Sequence, residues 1–174
     1  MGTVVSKSGF ACRVDIGAND TATLSLLAFE GATKRNRPEV SVGDVVFARI
    51  IAPSRDVEAE LVCITSGNKR DGMGVLTAQA GHFAHLLQVP VHASRKLLSP
   101  ESQLLPLLGK RFRFEVAVGM NGRVWVASKT PENVIYISNI ISRYSDASEE
   151  EVTQLYDDLL GDVDIGIQGK KRKK

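Results

Sequence analysis

The chain has 174 residues, enough for one large domain or two small ones, and 43% of them are apolar, so each half can bury a core. No apolar run reaches the length of a membrane span, and no secretory-type leader opens the chain. The net charge of +2 hides a basic end: KKRKK at 170–174 carries five positive charges, so the preceding residues sum to −3, which excludes a uniformly basic surface.

Five short strands are expected first. GTVVS (2–6), FACRVDI (10–16), TATLSLLAF (21–29), DVVFARII (44–51) and AELVCIT (59–65) are rich in strand formers and divided by turn formers. Five strands in this length suit a small closed barrel of the OB type, with an open sandwich as the alternative. SGNKRDG (66–72) marks a composition change and the expected domain boundary. After it come a strand over MGVLTA (73–78), a short helix over GHFAHLLQ (81–88) and a helical piece that stops at Pro100. A further helix over 101–110 is interrupted by Pro106.

Strands follow over 111–118 and 123–128. Thr130 before Pro131 reads as an N-cap with proline at the first helical position. Ser148 with Glu151 reads as a capping box. The expected organisation is an all-β barrel over 1–66, an α+β domain over 67–147, an additional helix over 148–162 and a basic tail over 163–174 that lacks periodicity.

Between the last two strands lies GMNG (119–122). A Gly-x-x-Gly can clamp a nucleic-acid backbone, but the clamp of a KH domain joins two helices, and here both flanks are strands. Asn121-Gly122 is a strong two-residue hairpin signal. With that turn Val118 would pair with Trp125. Gly119, Asn121 and Gly122 are therefore read as a structural turn. Between the first two helices, where a clamp belongs, there is no glycine.

Positive charge is otherwise clustered at 33–38 (TKRNRP), 68–70 and 109–113. Clusters of this kind track phosphates or lie as solvated loops. OB-type barrels bind single strands through a charged groove with aromatics for stacking. That points to Lys34, Arg35 and Arg37 just after Phe29, with Phe10 and Phe29 as stacking candidates. The competing reading places both phenylalanines in the core and docks the loop on an acidic protein. Cys12 and Cys63 each sit inside an apolar run and read as small buried residues of a reducing compartment. His82 and His85 stand at helical i, i+3 spacing without a third ligand nearby, and His92 is isolated. Asp157 and Asp158 could contribute to a magnesium site but lie at the end of an expected helix. No catalytic constellation, metal site or cofactor site emerges.

Several stretches together carry a family resemblance: FEGATKRNRP (29–38), VGDVVFARI (42–50), ELVCI (60–64), GMGV (72–75), RKLLSP (95–100) and GMNGRVWV (119–126). Over roughly residues 2–145 the chain resembles the S1/KH cap subunits of the eukaryotic RNA exosome. The resemblance implies an S1 barrel followed by a KH-type domain, and a non-catalytic role. It implies RNase-PH-like ring subunits, other exosome subunits and single-stranded RNA as partners, no membrane and no cofactor, and a place in nucleus, nucleolus and cytoplasm. Family members carry an N-terminal β domain that this sequence is expected to lack. A stand-alone S1/KH factor that binds single-stranded RNA is the alternative. An RNA-processing enzyme is the third reading.

Overall fold

The computed structural model describes residues 1–51, 58–64 and 72–145. Backbone contacts divide the chain into two units. One is Met1–Gln79 with Gly119–Arg123; the other is Ala80–Val118 with the chain from Val124 onward. The additional helix, the basic tail, the capping box, Asp157 and Asp158 lie outside the described residues, as does the cluster at 68–70.

The first unit holds β1 (Gly2–Ser8), β2 (Ala11–Asp15), β3 (Ala22–Phe29), β4 (Val45–Phe47), β5 (Arg49–Ile51), β6 (Glu60–Cys63) and β7 (Gly74–Leu76). Alternation sets the inward face: Cys12 and Val14 on β2, and Ala22, Leu24 and Leu26 on β3, are buried. They form one core with Val4, Phe29, Val40, Val46, Leu61 and Cys63. β1–β2–β3 form an antiparallel meander and β6 adds parallel to β3.

The expected strand over 44–51 breaks at Ala48. Its first half, β4, pairs with β1, while its second half, β5, pairs with β6. One short segment thus joins the two ends of the meander into a ring of five strands, the OB-type closure that removes open edges. A bulge at Val5 shifts the register of β1 against β2 between Val4 and Ser6.

β7 requires a correction. The sequence reading gave it to the second domain, but it pairs with β4, Val46 opposite Val75. The first unit therefore runs past residue 66 to Gln79. Turn formers mark a chain reversal equally well inside a domain as between domains.

The second unit contains β8 (Phe83–Gln88), α1 (Val91–Leu98), α2 (Leu104–Arg111), β9 (Phe114–Val118), β10 (Arg123–Ser128) and α3 (Pro131–Tyr144). The sheet order is β8-β10-β9. The expected β-α-α-β-β-α sequence is present, but shifted. GHFAHLLQ is the strand β8, not a helix. The run is too short for its periodicity to decide, and Pro90 biases Val89 toward extended backbone. α2 starts at Leu104, so Pro106 lies in its first turn, where the missing N–H breaks no bond, and the helix is uninterrupted.

α3 begins after Thr130 with Pro131 in its first turn, although the Thr130 side chain makes no cap hydrogen bond. It buries Val134, Ile137, Ile140, Ile141 and Tyr144 at helical spacing. Ile137, Ile140, Ile141 and Tyr144 meet Leu97, Leu104, Leu108, Val124 and Val126 in one core.

The hairpin register also differs from expectation. Val118 pairs with Val124, not Trp125, and Trp125 faces Ala117. The Gly119 N–H bonds the Arg123 carbonyl at 2.8 Å, and the Gly122 N–H bonds the Gly119 carbonyl at 3.2 Å. This is a three-residue loop in which Gly122, at φ 79°, forms the bulge position. The one-residue shift puts Val124 and Val126 on the face of Val116 and Val118, and Trp125 on the other.

Candidate nucleic-acid interface

The β3–β4 connection carries the basic cluster. Its tip is held by its own polar atoms. The Thr33 N–H bonds the Asn36 carbonyl at 2.8 Å, and the Asn36 N–H bonds Thr33 Oγ1 at 3.0 Å. Arg37 Nε donates to the Lys34 carbonyl at 2.9 Å. Lys34, Arg35 and Arg37 are all exposed. The turn therefore spends mainly backbone groups on its shape and leaves the Lys34 and Arg35 side chains facing solvent.

Arg37 also lies over Phe10, its guanidinium carbon 4.3 Å from the ring centroid, a cation–π arrangement. Phe10 is 53% exposed. Its carbonyl accepts from the Leu26 N–H at 2.8 Å, which fixes the turn between β1 and β2 against β3. The fold thus brings all five RNA-binding candidates to the same unit and places two, Arg37 and Phe10, in contact. It separates Phe29 from them in character. Phe29 is 7% exposed and belongs to the core, so as a base-stacking residue it is withdrawn. Its position after an apolar strand fitted either role, and closure of the ring decides between them.

The GMNG loop is built the opposite way. Gly119 and Gly122 are buried. Asn121 Nδ2 donates to the carbonyls of Met1 and Ile16 at 2.6 and 2.7 Å. Arg123 donates from Nη1 to the Asp15 carbonyl at 2.6 Å and from Nη2 to Asp15 Oδ2 at 2.7 Å. A Cβ on Gly119 would stand 2.6 Å from Asn121 Oδ1 and 3.0 Å from the Arg123 carbonyl oxygen. The hydrogen bond from Arg123, with a second from the Gly17 N–H, holds the Asp15 carboxyl below its usual range. The Asn121 and Arg123 side chains thus donate to protein. Arg123 was missed by sequence reasoning; nothing local signals that its partner lies 108 residues away.

Between α1 and α2 the connection is Ser99–Gln103, SPESQ, with no glycine. Ser102 Oγ lies 3.2 Å from the Tyr144 hydroxyl. His82 precedes β8 and His85 lies within it, so the helical spacing that would place both on one metal does not exist; His92 is exposed on α1. Cys12 and Cys63 are free and buried, and burial pushes the Cys63 thiol up to about 12.

Fold and site together define a class: an OB-type S1 barrel that offers an exposed basic loop, followed by a KH-type α+β unit whose helix–helix connection lacks glycine. The S1-domain family described as that of exosome complex component RRP40 matches residues 1–74, and a KH-domain family matches residues 85–132. The exosome complex component RRP40 of Mus musculus is 40% identical over 156 residues, covering 90% of this chain and 56% of that protein. Its namesake in Drosophila melanogaster is 38% identical over 159 residues, covering 91% and 66%. A crystal structure described as that of an exosome complex RNA-binding protein superposes with a TM-score of 0.74. At 16% identity it covers 94% of this chain and 92% of its own, and it supports the fold alone.

The chain belongs to the RRP40 family. It spans 56% of the length of the mammalian relatives.

Proposed function

We propose that this chain is a non-catalytic, RNA-binding cap subunit of an RNA exosome. It rests on a ring of RNase-PH-like subunits and helps admit single-stranded RNA to a 3′–5′ exoribonuclease, in nucleus, nucleolus and cytoplasm. The observation that carries this reading is the family-specific S1 barrel with Lys34 and Arg35 exposed beside the Arg37–Phe10 pair. Charge on an S1 face with one available aromatic suits a sequence-tolerant grip on a single strand. The glycine-free SPESQ connection supports a role within an assembly, because a free KH factor relies on that loop to hold RNA. Gly119, Asn121 and Gly122 serve as a structural turn.

Affinity purification of the tagged full chain, followed by identification of its partners, tests the proposal. RNase-PH-like subunits should co-purify in stoichiometric amount. Recovery of RNA with no such subunits would favour the stand-alone factor. RNA shortening that co-purifies with the chain and vanishes in an Asp157→Asn/Asp158→Asn variant would overturn the non-catalytic role.

A further inference from the structure

We infer that the pocket beside the β3–β4 loop takes one guanine base of a bound single strand. The Glu30 carboxylate accepts from the N1–H and the 2-amino group of the base, and the Asn36 side-chain amide donates to its O6. The inference rests on the RNA reading above and adds a one-base preference to an otherwise sequence-tolerant grip. The pocket lies wholly within the first unit. Its volume is about 260 Å³, below the roughly 300–1,000 Å³ of pockets that enclose drug-sized ligands, which fits a base better than a whole nucleotide. Phe29, Pro38 and Met73 supply apolar walls, and Glu30, Asn36 and Arg37 supply polar groups.

The state of those polar groups carries the inference. Asn36 spends its backbone on the turn: its carbonyl accepts from the Thr33 N–H at 2.8 Å, and its N–H donates to Thr33 Oγ1 at 3.0 Å. The residue is thereby held in place while its side-chain amide has no partner among the described residues. Glu30 opens the same connection that carries Lys34, Arg35 and Arg37, yet its exposed carboxylate pairs with none of them. A carboxylate beside a phosphate-binding loop weakens the hold on phosphate. At a pocket wall it instead selects a partner with donors. Single-stranded bases are read by hydrogen bonds to their exposed edges, and the edges differ. Guanine presents two parallel donors, N1–H and the 2-amino group, next to the acceptor O6. Adenine and cytosine each direct a single amino group there, and the imide N–H of uracil lies between two carbonyl oxygens that a carboxylate repels. The pairing of Glu30 with Asn36 therefore matches guanine. Arg37 is left for the phosphate, its Nε fixed by the Lys34 carbonyl at 2.9 Å and its guanidinium laid over Phe10.

Affinity of the full chain for octauridylate, and for the same strand with one central uridine replaced by guanosine, inosine, adenosine or cytidine, tests this. The guanosine strand should bind about fivefold tighter or more than octauridylate, the lower end of what one bidentate base contact provides. Inosine keeps N1–H and O6 but lacks the 2-amino group, and should recover less than half of that gain. In a Glu30→Gln variant the guanosine-to-uridine ratio should fall below about twofold, and Asn36→Asp, which turns an acceptor toward O6, should lower it too. Equal, salt-sensitive binding of every strand by the parent would overturn the pocket and leave the RNA reading standing. No binding of any strand would overturn both. A preference for adenosine or cytidine, or a guanosine preference that survives both substitutions, would also overturn the inference.

Discussion

Two loops of the first unit have similar compositions and opposite fates. Residues 33–37, TKRNR, and 119–123, GMNGR, each combine an asparagine with arginine. In the first, the turn is closed by Thr33, Asn36 and the Lys34 carbonyl, and the charged ends of Lys34 and Arg35 stay in water. In the second, Asn121 and Arg123 donate to protein carbonyls and to Asp15. A loop composition therefore does not define a binding site. What matters is which donors remain after the backbone has been satisfied.

The comparison predicts unequal damage. The largest loss is expected for Gly119→Val, because its Cβ would press on the Arg123 carbonyl as well as on Asn121. Chemical denaturation should show a loss of about 3 kcal/mol. A fully stable variant would mean that the loop can open, as a clamp must.

Asn121→Ala comes next. It leaves two carbonyls without their donor, a cost of about 1–3 kcal/mol in the same measurement. If Asn121→Ala instead unfolds normally but loses RNA, the two loops have been assigned the wrong way round.

The reach of sequence reasoning divides along the same line. The barrel strands were legible because alternation at Cys12/Val14 and Ala22/Leu24/Leu26 is a local consequence of one buried face. The hairpin at 119–122 was legible as a turn, but its register was not. Asn-Gly suits a two-residue loop, whereas the Gly119–Arg123 bond encloses three. Asn121 is anchored to carbonyls more than 100 positions away, and no local pattern reports that. β8 was misread for the same reason, since its partner β10 lies far along the chain. At the candidate site, charge clustering singled out Lys34, Arg35 and Arg37 as candidates, and the structure leaves them exposed. The contact of Arg37 with Phe10 spans a distance in sequence that only the fold closes.

A smaller effect concerns pH. Asp15 is held below its ordinary value by Arg123. Its contribution is therefore present above the unfolded carboxyl value and lost as pH falls through the folded one. Asp15→Asn should lower stability at neutral pH, by less than about 1 kcal/mol because the side chain is 44% exposed, and the difference from the parent should shrink below about pH 4. A difference that is constant down to pH 2 would remove the ion pair from the account.

The smallest change in stability is expected from Lys34→Ala/Arg35→Ala/Arg37→Ala. These side chains are exposed, so thermal and chemical unfolding should shift by no more than about 0.5 kcal/mol. A larger loss would show that the Arg37–Phe10 contact holds the barrel together and is not held in reserve for a ligand.

The salt dependence of single-stranded RNA binding by that triple variant tests the central claim most directly. If Lys34, Arg35 and Arg37 neutralise phosphates, the slope of log affinity against log salt should flatten by about 2, roughly 0.7 for each lost contact. Asn121→Ala, measured where it is folded, should keep the parental slope. An unchanged slope in the triple variant, or a flattened slope in Asn121→Ala, would contradict the assignment of RNA to the 33–37 loop.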